Sequence, residues 1–72
     1  MSKLIEMLRL SAETDKAKAL LSLELLNEKG VGIGDHSTAD FYKNAEEALA
    51  MLADADDRLE AIEKYMTKKE VI

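Results

Sequence analysis

The segment with the greatest potential for chemistry lies near the middle of the chain, where three glycines alternate with apolar residues. It reads GVGIGDHST and leads into a helix. Glycines let a backbone approach a ligand closely, and the free N–H groups at a helix N-terminus favour anions. We therefore predict that this segment binds a small anion. The predicted contacts are Gly30, Gly32, Gly34, His36, Ser37 and Thr38.

The same segment also fits a plain connection between two helices. Its spacing is not that of a dinucleotide-binding fingerprint, and it lacks the Lys-Ser/Thr ending of a P-loop. Asp35 would repel a phosphate, Gly30 suits the position after a helix C-terminus, and Ser37 can cap the next helix. Both interpretations stay open. Because His36 is the only histidine and there is no cysteine, we expect no catalysis, metal or cofactor.

An acidic run follows in the second half of the chain. Its members are Asp54, Asp56, Asp57, Glu60 and Glu63. Four of them recur every third residue, a spacing that drifts around a helix rather than holding one face. Helical nucleotide pyrophosphatases bind Mg²⁺ through carboxylates on adjacent helices, but the first half offers no matching motif. We predict a solvated face; the alternative is mimicry of nucleic-acid phosphates to occupy a basic host protein.

Composition limits the classes of partner. The 72 residues carry a net charge of −5 and contain neither cysteine nor proline. All of the excess charge lies after residue 29, where there are ten acidic and five basic residues. Nucleic acids and anionic membranes are bound through clusters of Lys and Arg, so we expect neither as a general partner. With no apolar run long enough to cross a bilayer and no signal peptide in residues 1–10, we expect a cytoplasmic protein.

The residues favour helices joined at one boundary. Strong helix formers dominate, and all three glycines fall within residues 30–34. We predict a helical region over residues 3–29, a turn over residues 30–37 and a long helix over residues 38–69, all in one domain of residues 1–72. Ser11 could instead start a new helix, which would leave residues 2–10 as a separate short helix.

Apolar residues follow a heptad pattern in the second helix, with spacing 4-3-4-3-4-3-4. This α2 seam consists of Phe41, Ala45, Ala48, Leu52, Ala55, Leu59, Ile62 and Met66. Such a stripe requires a partner helix along its whole length.

The first helix has two apolar stripes on nearly opposite sides, and Asp15 and Ser22 border the first one. The first comprises Leu4, Ile5, Leu8, Ala12, Ala19, Leu23 and Leu26; the second comprises Met7, Leu10, Ala17, Leu21 and Leu25. One stripe can pack on the second helix, and the other then needs a second chain. A chain this short also gains stability from association. We predict an all-α antiparallel hairpin assembled as a homo-oligomeric helical bundle.

The stretch from Gly30 to Glu63 resembles small uncharacterised helical accessory proteins of large tailed phages. The shared features are a Gly-rich GDHS-type turn and an acidic helix with an ADADDRLE-like stretch. The resemblance implies a viral accessory protein that acts in the host cytoplasm. Proteins of this kind bind a host factor or sequester a nucleotide immune messenger. We expect a non-catalytic, oligomeric binding protein of the sequestering type; the alternatives are an acidic inhibitor of a host protein and a purely structural assembly component.

Overall fold

Two long helices make up the part of the chain that the structure describes, residues 2–29 and 38–67 of a computed structural model. Helix α1 spans Lys3–Lys29 and helix α2 spans Thr38–Ala61. A π-helical turn, Ile62–Met66, continues α2. These ranges contain no strand, so the prediction of an all-α fold is confirmed for them.

Helix α1 is continuous, and the alternative of a break at Ser11 is wrong. The helix runs for 27 residues without interruption. It begins instead at Ser2, whose Oγ accepts hydrogen bonds from the backbone N–H groups of Leu4 (3.0 Å) and Ile5 (3.2 Å). These N–H groups have no partner inside the helix, so Ser2 acts as the N-cap. A break at Ser11 would leave further N–H groups without helical partners, beginning at the buried Ala12.

The two helices pack side by side and antiparallel. Asp15, in the first half of α1, bonds to Arg58 near the end of α2, whereas Leu25 near the end of α1 lies beside Met51. The fully buried residues between the helices are small: Ala12 and Ala19 on α1 and Ala55 on α2. Small side chains allow close approach of two helices, so a narrow alanine-lined contact replaces a thick apolar core.

The α2 seam faces α1 over most of its length. Ala48, Ala55 and Ile62 are buried. Four further members are half-buried: Phe41, Ala45, Leu52 and Leu59. The first stripe of α1 supplies the opposite side of this contact, except that Leu4 is exposed.

The end of α2 departs from the expected regular helix. We predicted an α-helix to residue 69, but α-helical geometry ends at Ala61 and the π-helical turn follows. Because a π-helix has more residues per turn than an α-helix, this turn changes the direction in which Met66 projects relative to a regular α-helix. Met66 is 39% exposed in the hairpin, whereas Ile62 is buried. The place of Met66 in an oligomer seam stays a prediction. Thr67 closes the turn by donating a hydrogen bond to the carbonyl oxygen of Glu63 (3.0 Å).

Candidate oligomer interface

The predicted anion site falls almost entirely outside the residues that the structure describes. Of its six members, only Thr38 is in a described element, as the first residue of α2. The remaining contacts, residues 30, 32, 34, 36 and 37, lie outside the described ranges. The anion site therefore stays a prediction from sequence.

A charged cluster joins the two helices at the middle of α1. Arg58 donates from Nη2 to Asp15 Oδ2 across the hairpin (2.7 Å) and from Nε to Asp54 Oδ2 on its own helix (3.0 Å). The hydrogen bond to Asp15 raises the pKa of Arg58, and the charge of Asp54 acts in the same direction. The i,i+4 spacing of Asp54 and Arg58 on one helix favours this pair. The sequence does not indicate the bond to Asp15, which requires the register of the two helices.

Two members of the acidic run are engaged within the hairpin. Asp54 bonds to Arg58, and Asp56 forms an ion pair with Lys16 of α1 (3.2 Å). Other carboxylates of the run are exposed: Asp57, Glu60 and Glu63. Within residues 2–29 and 38–67, no group of three His, Cys, Asp or Glu side chains could hold a metal ion. Within the run, Asp56 therefore pairs with α1, whereas Asp54 pairs with an arginine of its own helix.

The second stripe of α1 is exposed along its length. Met7, Leu10, Leu21 and Leu25 keep between 45% and 56% of their surface accessible. Between them lie Thr14 and Ala17, so that the spacing is 3-4-3-4-4. We refer to these six residues as the outer stripe. Thr14 was missed from the sequence because it is polar, although its position completes the heptad pattern.

The outer stripe is accompanied by a shallow groove at its N-terminal half. This groove has a volume of about 510 Å³ and is lined by Lys3, Glu6, Met7, Leu10, Ser11 and Thr14. All six residues belong to α1, so within residues 2–29 and 38–67 no side chain of α2 lines this groove. Apolar side chains form its floor, and Lys3 and Glu6 form an ion pair at one end (4.0 Å).

A second groove runs between the helices near the other end of α1. Leu25 of α1 and Met51 of α2 give it an apolar character, and Asn44 and Glu47 add polar groups. Its volume is about 370 Å³. Since Leu25 belongs to the outer stripe, the apolar surface extends from α1 to the edge of α2.

No protein-family model matches this chain, and neither a curated protein nor a solved structure is significantly similar to it. None of the described helices is long and apolar enough to cross a membrane.

Proposed function

We propose that this chain is a non-catalytic binding protein that works as a homo-oligomer. The observation that carries the proposal is the exposed outer stripe on α1. Soluble monomers rarely expose a continuous apolar patch of this length, and such patches mark interaction sites. The pattern is typical of a helix that packs against another helix, because the positions from Met7 to Leu21 follow the 3-4-3-4 spacing of heptads.

For the ligand, we propose a small anion such as a nucleotide immune messenger. Support comes from the glycine-rich sequence before α2 and from the start of α2 at Thr38, where backbone N–H groups favour negative charge. Assembly would bring such segments or helix ends from different copies together and create a site that one chain lacks. The resemblance to phage accessory proteins agrees with a sequestering role in the host cytoplasm.

Native mass spectrometry of gently purified protein tests both parts. We expect an oligomer that retains a small molecule in the mass range of nucleotides. The double variant Gly32→Val/Ser37→Ala should lose the retained mass and keep its helicity, whereas Ser11→Ala, on α1, should retain it. A monomer at high concentration would contradict the oligomer. Unchanged retention by the double variant would contradict the anion site.

A second candidate function is inhibition of a basic host protein. The exposed carboxylates Asp57, Glu60 and Glu63 favour it. Charge reversal at Asp57 and Glu60 should release such a partner while leaving the Asp54–Arg58 pair intact. An oligomer without any retained molecule, combined with unchanged host-protein recovery after charge reversal, would favour a purely structural component.

A further inference from the structure

The sizes of the side chains along the outer stripe of α1 follow the same order in both directions: large, small, large. Large apolar residues stand at both ends, Met7 and Leu10 at one and Leu21 and Leu25 at the other, with small residues between. From Met7 to Leu25 the stripe covers 18 helical steps, or ~27 Å at ~1.5 Å per residue. An antiparallel copy would therefore oppose large with large and small with small residues from Leu10 to Leu21, while Met7 and Leu25 would lie one position out of line with each other at the two ends.

We propose that the outer stripe is covered by a second copy of this chain, with the two α1 helices antiparallel about a two-fold axis. This inference rests on the proposed homo-oligomer and specifies its interface. In the proposed register, Leu10 lies opposite the partner's Leu21 and Thr14 lies opposite the partner's Ala17. The axis passes between Thr14 and Ala17, so each contact occurs twice.

Charges at the ends of α1 distinguish this arrangement from a parallel one. The register that aligns the apolar residues also sets Lys3 opposite the partner's Glu28, once at each end. Both side chains are exposed and can reach across. A parallel pair would instead bring Lys3 to Lys3, Glu24 to Glu24 and Glu28 to Glu28, and like charges at such positions oppose association.

The groove beside the outer stripe gives the second copy a place to insert its side chains. It extends from Lys3 to Thr14. In the antiparallel register this stretch lies opposite the C-terminal half of the partner's α1. Leu21 and Leu25 of the partner would fill the groove, and each subunit would contribute one groove and one filling pair. An interface ~27 Å long and one helix wide lies toward the small end of specific interfaces, so we expect dissociation on dilution.

Disulfide trapping tests the register directly, because the native chain has no cysteine. Leu10→Cys protein is mixed with isotope-labelled Leu21→Cys protein under mild oxidation. We expect the mixed 10–21 disulfide to dominate. In the antiparallel pair, two cysteines introduced at position 10 would stand ~16 Å apart, beyond the reach of a disulfide. Leu49→Cys, exposed on α2, is the matched control and should remain largely reduced.

Exchange of the charges at positions 3 and 28 tests the same register through the dissociation constant of the dimer and leaves the apolar residues unchanged. Lys3→Glu or Glu28→Lys alone should raise the dissociation constant by roughly fivefold, because each removes two exposed ion pairs per dimer. The double exchange should restore native affinity. Predominant 10–10 or 21–21 disulfides, or absence of rescue, would overturn the antiparallel register while the homo-oligomer stands. Absence of any oligomer in the native chain would overturn both.

Discussion

Arg58 of α2 donates a hydrogen bond of 2.7 Å to Asp15 of α1, which lies 43 positions earlier in the chain. The same guanidinium also bonds to Asp54 through a different nitrogen. Arginine can serve two carboxylates at once because its donors point in fixed, separate directions. The contact therefore joins one turn of α1 to one turn of α2.

Replacement of Arg58 by Lys tests this bridging role. The charge is kept, but a single ammonium cannot reproduce both bonds, so we expect a lower Tm by circular dichroism. The control is Lys16→Gln, which removes the Lys16–Asp56 pair, also across the hairpin and more exposed. Exposed pairs contribute little, so the control should melt close to the native protein. Equal Tm values for Arg58→Lys and the control would show that bridging adds nothing.

The contribution of Arg58 should not change with pH in the neutral to mildly alkaline range. Its pKa is raised in the folded chain by the bond to Asp15. A group whose pKa is higher in the folded chain than in the unfolded chain stabilises the fold fully at pH values below its unfolded-state pKa. This stabilisation is lost only as the pH rises through the folded-state pKa. The difference in Tm between native protein and Asp15→Asn should be equal at about pH 7 and about pH 9. A difference that shrinks by pH 9 would contradict this.

Two alanines of α1 provide a direct test of the close contact between the helices. Ala19 is fully buried against α2, whereas Ala17 belongs to the outer stripe. Ala19→Leu should cost about 1–3 kcal/mol of the free energy of unfolding, because the added methylene groups have no space. Ala17→Leu adds the same atoms to the outer stripe, which the single hairpin leaves exposed, and should not destabilise the hairpin at protein concentrations low enough to keep it monomeric. Urea unfolding at matched protein concentration measures both. A tolerated Ala19→Leu would mean that the helices are farther apart than described.

The N-cap of α1 should contribute measurably to stability. Ser2→Ala removes the acceptor for the N–H groups of Leu4 and Ile5 and should cost roughly 1 kcal/mol. Ser2→Gly should cost only a few tenths of that amount. Ser11→Ala replaces an exposed serine inside the helix and should be neutral or slightly stabilising, since alanine is the better helix former. If Ser2→Ala and Ser11→Ala unfold alike, Ser2 does not cap the helix.

The π-helical turn assigns different roles to Ile62 and Met66, although the heptad pattern treated them alike. Ile62 is buried, and Ile62→Val should cost about 0.5–1.5 kcal/mol. Met66→Ala deletes more atoms from an exposed position and should change stability by less than about 0.5 kcal/mol. A larger loss from Met66→Ala would place Met66 back in the α2 seam.

The sequence predicts what depends on local pattern. The periodicity of apolar residues indicates both helices. The glycine-rich composition that begins at Gly30 predicts the end of α1, and its replacement by helix-forming residues from Thr38 predicts the start of α2. Heptad spacing identifies Ala48 and Ala55 as contact positions because it specifies one face of the helix. The outer stripe follows from the same reasoning, since two opposite stripes cannot both face one partner.

What the sequence does not predict depends on register or on small differences in backbone geometry. The bond between Asp15 and Arg58 requires knowing which turn of α1 meets which turn of α2. None of the residue types in Ile62–Met66 predicts the hydrogen-bonding pattern of a π-helical turn. The Ser2 cap is predictable from the sequence, because a serine just before an apolar helix is a recognised start signal.

The alanine-lined contact has a calorimetric consequence. A hairpin held by alanines removes few methylene groups from water, and the heat-capacity change on unfolding is set mainly by the apolar surface that becomes hydrated. For a single hairpin, we expect a value below the ~12–15 cal/mol/K per residue of globular domains. The free energy of unfolding would then vary little with temperature. A heat-capacity change on unfolding that exceeds this value and increases with protein concentration would report the additional apolar surface that a second chain buries.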